Sequence, residues 1–161
     1  SARQPSRRPD TFGAMSEPLA RGEATIALIP QKPPFVLVDT LLSASPTLFR
    51  SAFTVPADHL LVSDGALLDA GVMENAAQTA ALGMGHQAAQ AGAAPPLGFI
   101  GAIARLSITG RVRTGETLET TVEVKHEVMN ARILEAVSTC DGRPVCTLEL
   151  KVFIMDTPPL A

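Results

Sequence analysis

The stretch DAGVMENAAQTAALGMGHQAAQA, from Asp69 to Ala91, decides the fold. It overlaps a run from Asn75 to Ala104 that holds no Lys, Arg, Asp or Glu, long enough to raise the question of a membrane span. Gln78, Thr79, His86, Gln87, Gln90, Pro95 and Pro96 interrupt that run, and Ala and Gly supply most of its apolar character, which argues against a span. A helix over Asp69 to Ala91 that is apolar nearly all round must instead be enclosed by other elements. Asp69 is placed to cap its N-terminus, and Gly92 with Pro95 and Pro96 ends it.

Before the helix lie two β-like runs, Phe35 to Ser43 and Leu48 to Val55, rich in Val, Leu and Phe and bounded by Pro. After it come Gly98 to Thr109, Glu116 to Val128 and Arg132 to Thr139, then Val145 to Met155 closing a hairpin over Asp141-Gly142. Thr117, Thr120, Val122 and Val124 against Glu119, Glu123 and Lys125 give the partial alternation of a sheet with one wet face. The dry face needs a cover, and the helix is the large apolar one at hand. This predicts an α+β architecture, an antiparallel sheet wrapped around one long central helix.

The chain of 161 residues, 46% apolar and 18% charged, has room for one domain with a buried core. Residues 1–23 mix Ser, Arg, Pro and Glu without periodicity or an apolar signal core, so they are expected to be a flexible arm, with the domain over 24–161. Net charge is −3, and without residues 1–23 the remaining 9 basic and 13 acidic side chains leave −4. With six Phe and no Trp or Tyr to stack on bases, a nucleic-acid module is a poor fit. Cys140 and Cys146 flank the Asp-Gly turn without facing each other in any simple register, so free thiols in a reducing, cytoplasmic compartment are expected. There is no internal repeat, phosphate-binding Gly-rich loop or Cys/His set with metal spacing, and no metal or organic cofactor is implied.

Glu74 lies one turn into the apolar helix, and helical spacing puts Gly71, Glu74, Gln78, Ala81 and Gly85 along one face. Enclosed among Val72, Met73, Ala76 and Ala77, its carboxyl would favour the protonated form and be a usable proton donor; exposed, it would merely favour the helix dipole. His59 falls between a strand and the loop into the helix, either a surface residue or one projecting into a site. His86, near the helix C-terminus, reads as structural, and His126 as a solvated sheet position. Ser63, Ser107 and Ser138 lack the Gly-x-Ser-x-Gly turn, and the cysteines lie beside acids, so nucleophilic catalysis has little support. What remains is proton transfer in an apolar slot, with the helix-start amides of Ala70, Gly71 and Val72 able to polarise a carbonyl.

Over about Ile26 to Met155 the residues resemble the β-hydroxyacyl-ACP dehydratases of the hotdog fold. Ile29-Pro-Gln31-Lys-Pro-Pro-Phe35-Val-Leu-Val-Asp39 is similar to the family's opening motif, with Gln31 where a His is usual. Glu74-Asn-Ala-Ala-Gln78 resembles its Glu-x-x-Ala-Gln helix signature, and Leu97 to Gly101, Arg105, Arg111 to Glu116 and Asp141 to Cys146 resemble the later strands in order. The family pairs a His of a Gly-His-Phe-Pro stretch with the helix Glu across a dimer interface. Here His59 falls near the expected place, but Phe-Pro and the following Pro-Gly are absent. The helix is closest to a divergent dehydratase-like subfamily found in gene clusters for aryl-polyene or flexirubin-type lipids.

The resemblance implies a (3R)-3-hydroxyacyl-[acyl-carrier-protein] dehydratase, a hydro-lyase of fatty-acid or polyene-type lipid biosynthesis. In that reading His59 takes the C2 proton, Glu74 protonates the leaving hydroxyl, Gln78 orients Glu74, and the amides near Gly71 hold the thioester carbonyl. Phe99, Ile100 and Gly101 would line the acyl tunnel. Arg105, Arg111 and Arg113 would receive the acidic carrier protein, and a homodimer or an oligomer of dimers would complete the sites. Acyl-thioester hydrolysis and a non-catalytic subunit of a heteromeric dehydratase are the alternatives on the same fold.

Overall fold

The long helix forms where Ala-rich sequence runs without Pro and with few β-branched residues, and the remaining elements are arranged by what it must bury. The computed structural model describes residues 16–155. In chain order they form β1 (Ala20–Arg21), α1 (Glu23–Ile26), β2 (Thr40–Ala44), β3 (Leu48–Thr54), β4 (Val62–Ser63), β5 (Ala66–Leu67), α2 (Asp69–Gln90), β6 (Leu97–Ile108), β7 (Thr117–Val128), β8 (Ala131–Cys140) and β9 (Arg143–Met155). Seven strands make one antiparallel sheet in the order β1-β2-β3-β7-β8-β9-β6, with β4 and β5 a separate small hairpin. The sheet wraps α2, the hotdog arrangement expected from the sequence. The arm expected over 1–23 falls partly outside the described residues; within them, Ala20 and Arg21 already pair with Leu41 and Thr40.

The enclosed helix requires small residues wherever another element crosses closely. A Cβ on Gly83 would collide with the Phe49 ring, and one on Gly85 with the Leu28 carbonyl oxygen, so bulk at either place would push the helix off its seat. Val72, Ala76 and Ala80 pack into the same core as Phe49, Phe53, Val122, Leu134 and Leu150. No helix among the described residues is long and apolar enough to cross a membrane.

Two expectations shift. Asp69 does not cap α2: Leu68 is the N-cap, without a side-chain cap bond, and Asp69 is the first helical residue, where its charge still suits the dipole. Phe35 to Asp39 are not strand, and β2 begins only at Thr40. Leu37 and Val38 are buried while Phe35 is exposed, and Leu37 bonds to side chains of α2 instead of a ladder: its N donates to Gln78 Oε1 at 2.7 Å, and Asn75 Nδ2 donates to Leu37 O at 2.7 Å. Backbone pairing starts at Asp39, whose amide donates to Ala52 O at 3.1 Å.

The β8–β9 hairpin turns on Asp141 and Gly142 with φ of 50° and 75°, the paired positive values of a type I′ turn. Beside it the Cys140 thiol donates to Glu116 Oε2 at 3.1 Å, and Arg143 Nη2 reaches the same oxygen at 2.9 Å. Both cysteines are free and buried. Burial, reinforced by the Glu116 carboxylate, pushes the Cys140 thiol up to about 11 from an ordinary 9.0; burial and the charge of Asp69 push Cys146 in the same direction. Between these two values the unfolded chain releases a proton that the folded chain keeps, so rising pH favours unfolding there. Denaturant titrations from pH 8 upward are therefore expected to show stability falling between pH 9 and about 11, less steeply in Cys140→Ala; an equal slope in both proteins would contradict the assignment.

Candidate active site

Gln78 is the hub. From one buried position on α2 it accepts the Leu37 amide and donates to Phe35 O at 2.8 Å, so the 35–37 segment is fastened directly to the helix. The same Nε2 donates to Glu74 Oε1 at 3.2 Å, one helical turn away. Asn75, on the same helix, bonds Leu37 O and accepts Thr120 Oγ1 at 2.6 Å, and Thr120 in turn shares a 2.8 Å bond with Ser138. The Glu74 carboxylate is thus held by an amide that is itself held on both sides. Freezing the partner in advance lowers the cost of aiming the acid.

Glu74 is half-buried, not fully enclosed, and lies at a cleft of about 100 Å³. Gln31 and Glu74 bring its polar side chains, while Ala81, Met84, Ile100, Val152 and Ile154 are among its apolar walls. Such a cleft admits an apolar chain and presents it with one carboxyl group. A group carried on that chain can exchange a proton with Glu74 in a place poor in competing water.

The other expected site residues are distributed unevenly about this cleft. Ile100 lines it and pairs with Val152 of the core face. Phe99 pairs with Phe153, and strand alternation turns that pair to the opposite face of the sheet. Gly101 also lies under the Phe153 ring. Gly71 is buried beneath Leu67, and the Gly71 and Val72 amides already donate to Leu68 O at 2.9 and 3.2 Å. Neither amide is turned to the cleft.

His59 lines a different hollow from Glu74, at the surface with Pro33, Pro34 and Pro56. Its Nδ1 accepts the Leu61 amide at 3.1 Å, so Nε2 carries the proton and donates to Val36 O at 2.9 Å. Both ring nitrogens are occupied by the chain's own backbone. Arg105, Arg111 and Arg113 are exposed, Arg105 with only a 4.0 Å ion pair to Glu149.

Sequence reasoning gave no role to Asn75 and noted Gln31 only for its unusual place in the motif. A polar amide at Asn75, three residues before Gln78 on a mostly apolar helix, was the available signal for the first.

The chain shares its fold with the dehydratase heterocomplex ApeI:P from Xenorhabdus doucetiae, with a TM-score of 0.75 at 19% identity over 83% of this chain and 91% of that one. An uncharacterized protein of Pyrococcus horikoshii gives a TM-score of 0.64 at 12% identity, covering 88% and 97% of the two chains. A hypothetical thioesterase of Streptococcus pneumoniae TIGR4, solved with coenzyme A, gives 0.60 at 13% identity over 73% and 85%. No curated protein matches the sequence. The sequence profile of the ApeP dehydratase family matches residues 24–158, and the chain belongs to that ApeP-like family.

Proposed function

We propose that the protein eliminates water from a (3R)-3-hydroxyacyl thioester on acyl carrier protein, in fatty-acid or polyene-type lipid biosynthesis, with Glu74 as the general acid. What supports this is the Glu74 carboxyl at the mouth of an apolar cleft, held by Gln78, in a chain of a dehydratase family. Elimination removes the acidified C2 proton to a base, forms the C2=C3 bond, and breaks C3–O as the Glu74 proton reaches the leaving oxygen. The exposed arginines Arg105, Arg111 and Arg113 suit an acidic carrier.

β6 is an edge strand with Leu97, Phe99, Ile100 and Ile103 exposed, and open backbone groups beside such side chains ask for a second subunit. A copy of this chain is the simplest one, with His59 as base; that role requires Leu61 N–H to release Nδ1. The occupied ring of His59 favours a second arrangement, in which a distinct hotdog subunit brings the base, as the heterocomplex relative suggests.

The test is product analysis with a (3R)-3-hydroxyacyl-carrier thioester, the chain alone and with a candidate partner. Enoyl thioester is the expected product. Formation by the chain alone supports the homomer, and formation only with the partner supports the heteromer. Free acid and thiol would indicate hydrolysis, and this outcome, or no product in either case, would overturn the proposal.

A further inference from the structure

The loop between α1 and β2 carries a second polar group to the cleft. Leu28 lies on the helix at Gly85, where no side chain intervenes, and Lys32 Nζ ties the loop back by donating to Ile26 O and Ile29 O, each at 3.0 Å. Gln31 is thereby set into the cleft wall across from α2. Its Oε1 is buried and, among the described residues, has no hydrogen-bond partner. A buried carbonyl acceptor left unpaired is costly, and such a group at a binding cleft is placed to take a donor that arrives with the ligand.

Building on the dehydratase reading, we propose that Gln31 Oε1 accepts the hydrogen of the substrate's C3 hydroxyl. A hydroxyl is both donor and acceptor. Gln31 takes its hydrogen, which leaves an oxygen lone pair for the proton of Glu74. When the C3–O bond breaks, the electron pair stays with that oxygen, the Glu74 proton completes the water molecule, and the hydrogen shared with Gln31 leaves as part of it. Gln31 also reads the substrate: a saturated acyl chain has no donor to offer and leaves Oε1 unpaired. Sites that hydrogen-bond a hydroxyl reject analogues lacking it more strongly than apolar pockets reject a missing methylene.

The experiment compares binding of two amide analogues of acyl-pantetheine, (3R)-3-hydroxyacyl and saturated acyl of equal length, whose amide linkage prevents turnover. Gln31→Met is nearly isosteric and removes the acceptor; Gln31→Leu is the second choice if the first does not fold, as judged by thermal melting. The preference of the wild-type protein for the hydroxy analogue is expected to fall about tenfold in the variant, with affinity for the saturated analogue unchanged. A preference within twofold of wild type, or an equal loss for both analogues, would overturn the role. Without any substitution, the Gln31 side-chain amide resonances of the wild-type protein should shift with the hydroxy analogue and not with the saturated one; identical shifts would also overturn it. Enoyl formation by the wild-type protein with no change on replacing Gln31 sinks this inference alone, whereas absence of enoyl product under all conditions sinks the dehydratase reading beneath it.

Discussion

Glu74→Gln is expected to lower enoyl-thioester formation about a thousandfold, in the middle of the range for a positioned general acid. The substitution keeps the shape and an acceptor oxygen for Gln78 Nε2, so the 3.2 Å bond and the cleft survive. The transferable proton is what disappears. Because the carboxyl is half-buried and this is its one hydrogen bond among the described residues, stability should change by less than about 0.5 kcal/mol and the melting temperature by about 1–2 °C. Affinity for a saturated acyl analogue should be retained, since the apolar walls formed by Ala81, Met84 and Ile100 are untouched. In a heteromeric assembly the same loss should occur with the partner present. Turnover within a few fold of wild type would show that another group donates the proton.

How much of this was legible in the sequence depended on where each residue finds its partners. The central helix was readable because the absence of charge from Asn75 onward, the Ala and Gly content and the Gly92 stop are properties of the chain itself. The Asp141-Gly142 turn was readable for the same reason, and the Asp64-Gly65 pair, with φ of 52° and 71°, marks the β4–β5 turn by the same signature. Phe35 to Val38 misled because a strand and a half-buried irregular segment share a pattern, and at Leu37 the distant amides of Asn75 and Gln78 decide between them. At the site, Glu74 stood out as the one acid beyond the first turn of an apolar helix. The lodging of the His59 ring between Val36 O and Leu61 N had no local signal. Phe99 and Ile100 were grouped together although strand alternation allows one of two neighbours to face a given cleft, and the structure gives that position to Ile100.

Asn75→Ala is expected to destabilise the protein by about 2–3 kcal/mol, a fall in melting temperature of about 5–10 °C for a chain this size. Asn75 is fully buried and serves two elements at once, donating to Leu37 O and accepting from Thr120 Oγ1. Alanine leaves the Leu37 carbonyl unpaired in the interior. The loss at Thr120 is smaller, because its hydroxyl can turn its hydrogen toward Ser138, 2.8 Å away. Alanine's better helix propensity recovers roughly 0.5 kcal/mol, which keeps the total at this level and not above it. Asn75→Asp should be worse despite its matching shape, since a carboxylate oxygen would face the Leu37 carbonyl oxygen and a buried charge would have no cation beside it. Because Gln78 still holds Phe35 and Leu37, the folded fraction of Asn75→Ala should keep most of its activity at 25 °C, with loss appearing as temperature rises. Chemical denaturation of the two variants checks the order: an alanine protein within 0.5 kcal/mol of wild type, or an aspartate protein more stable than it, would mean that the Asn75 amide is not what docks Leu37 onto the helix.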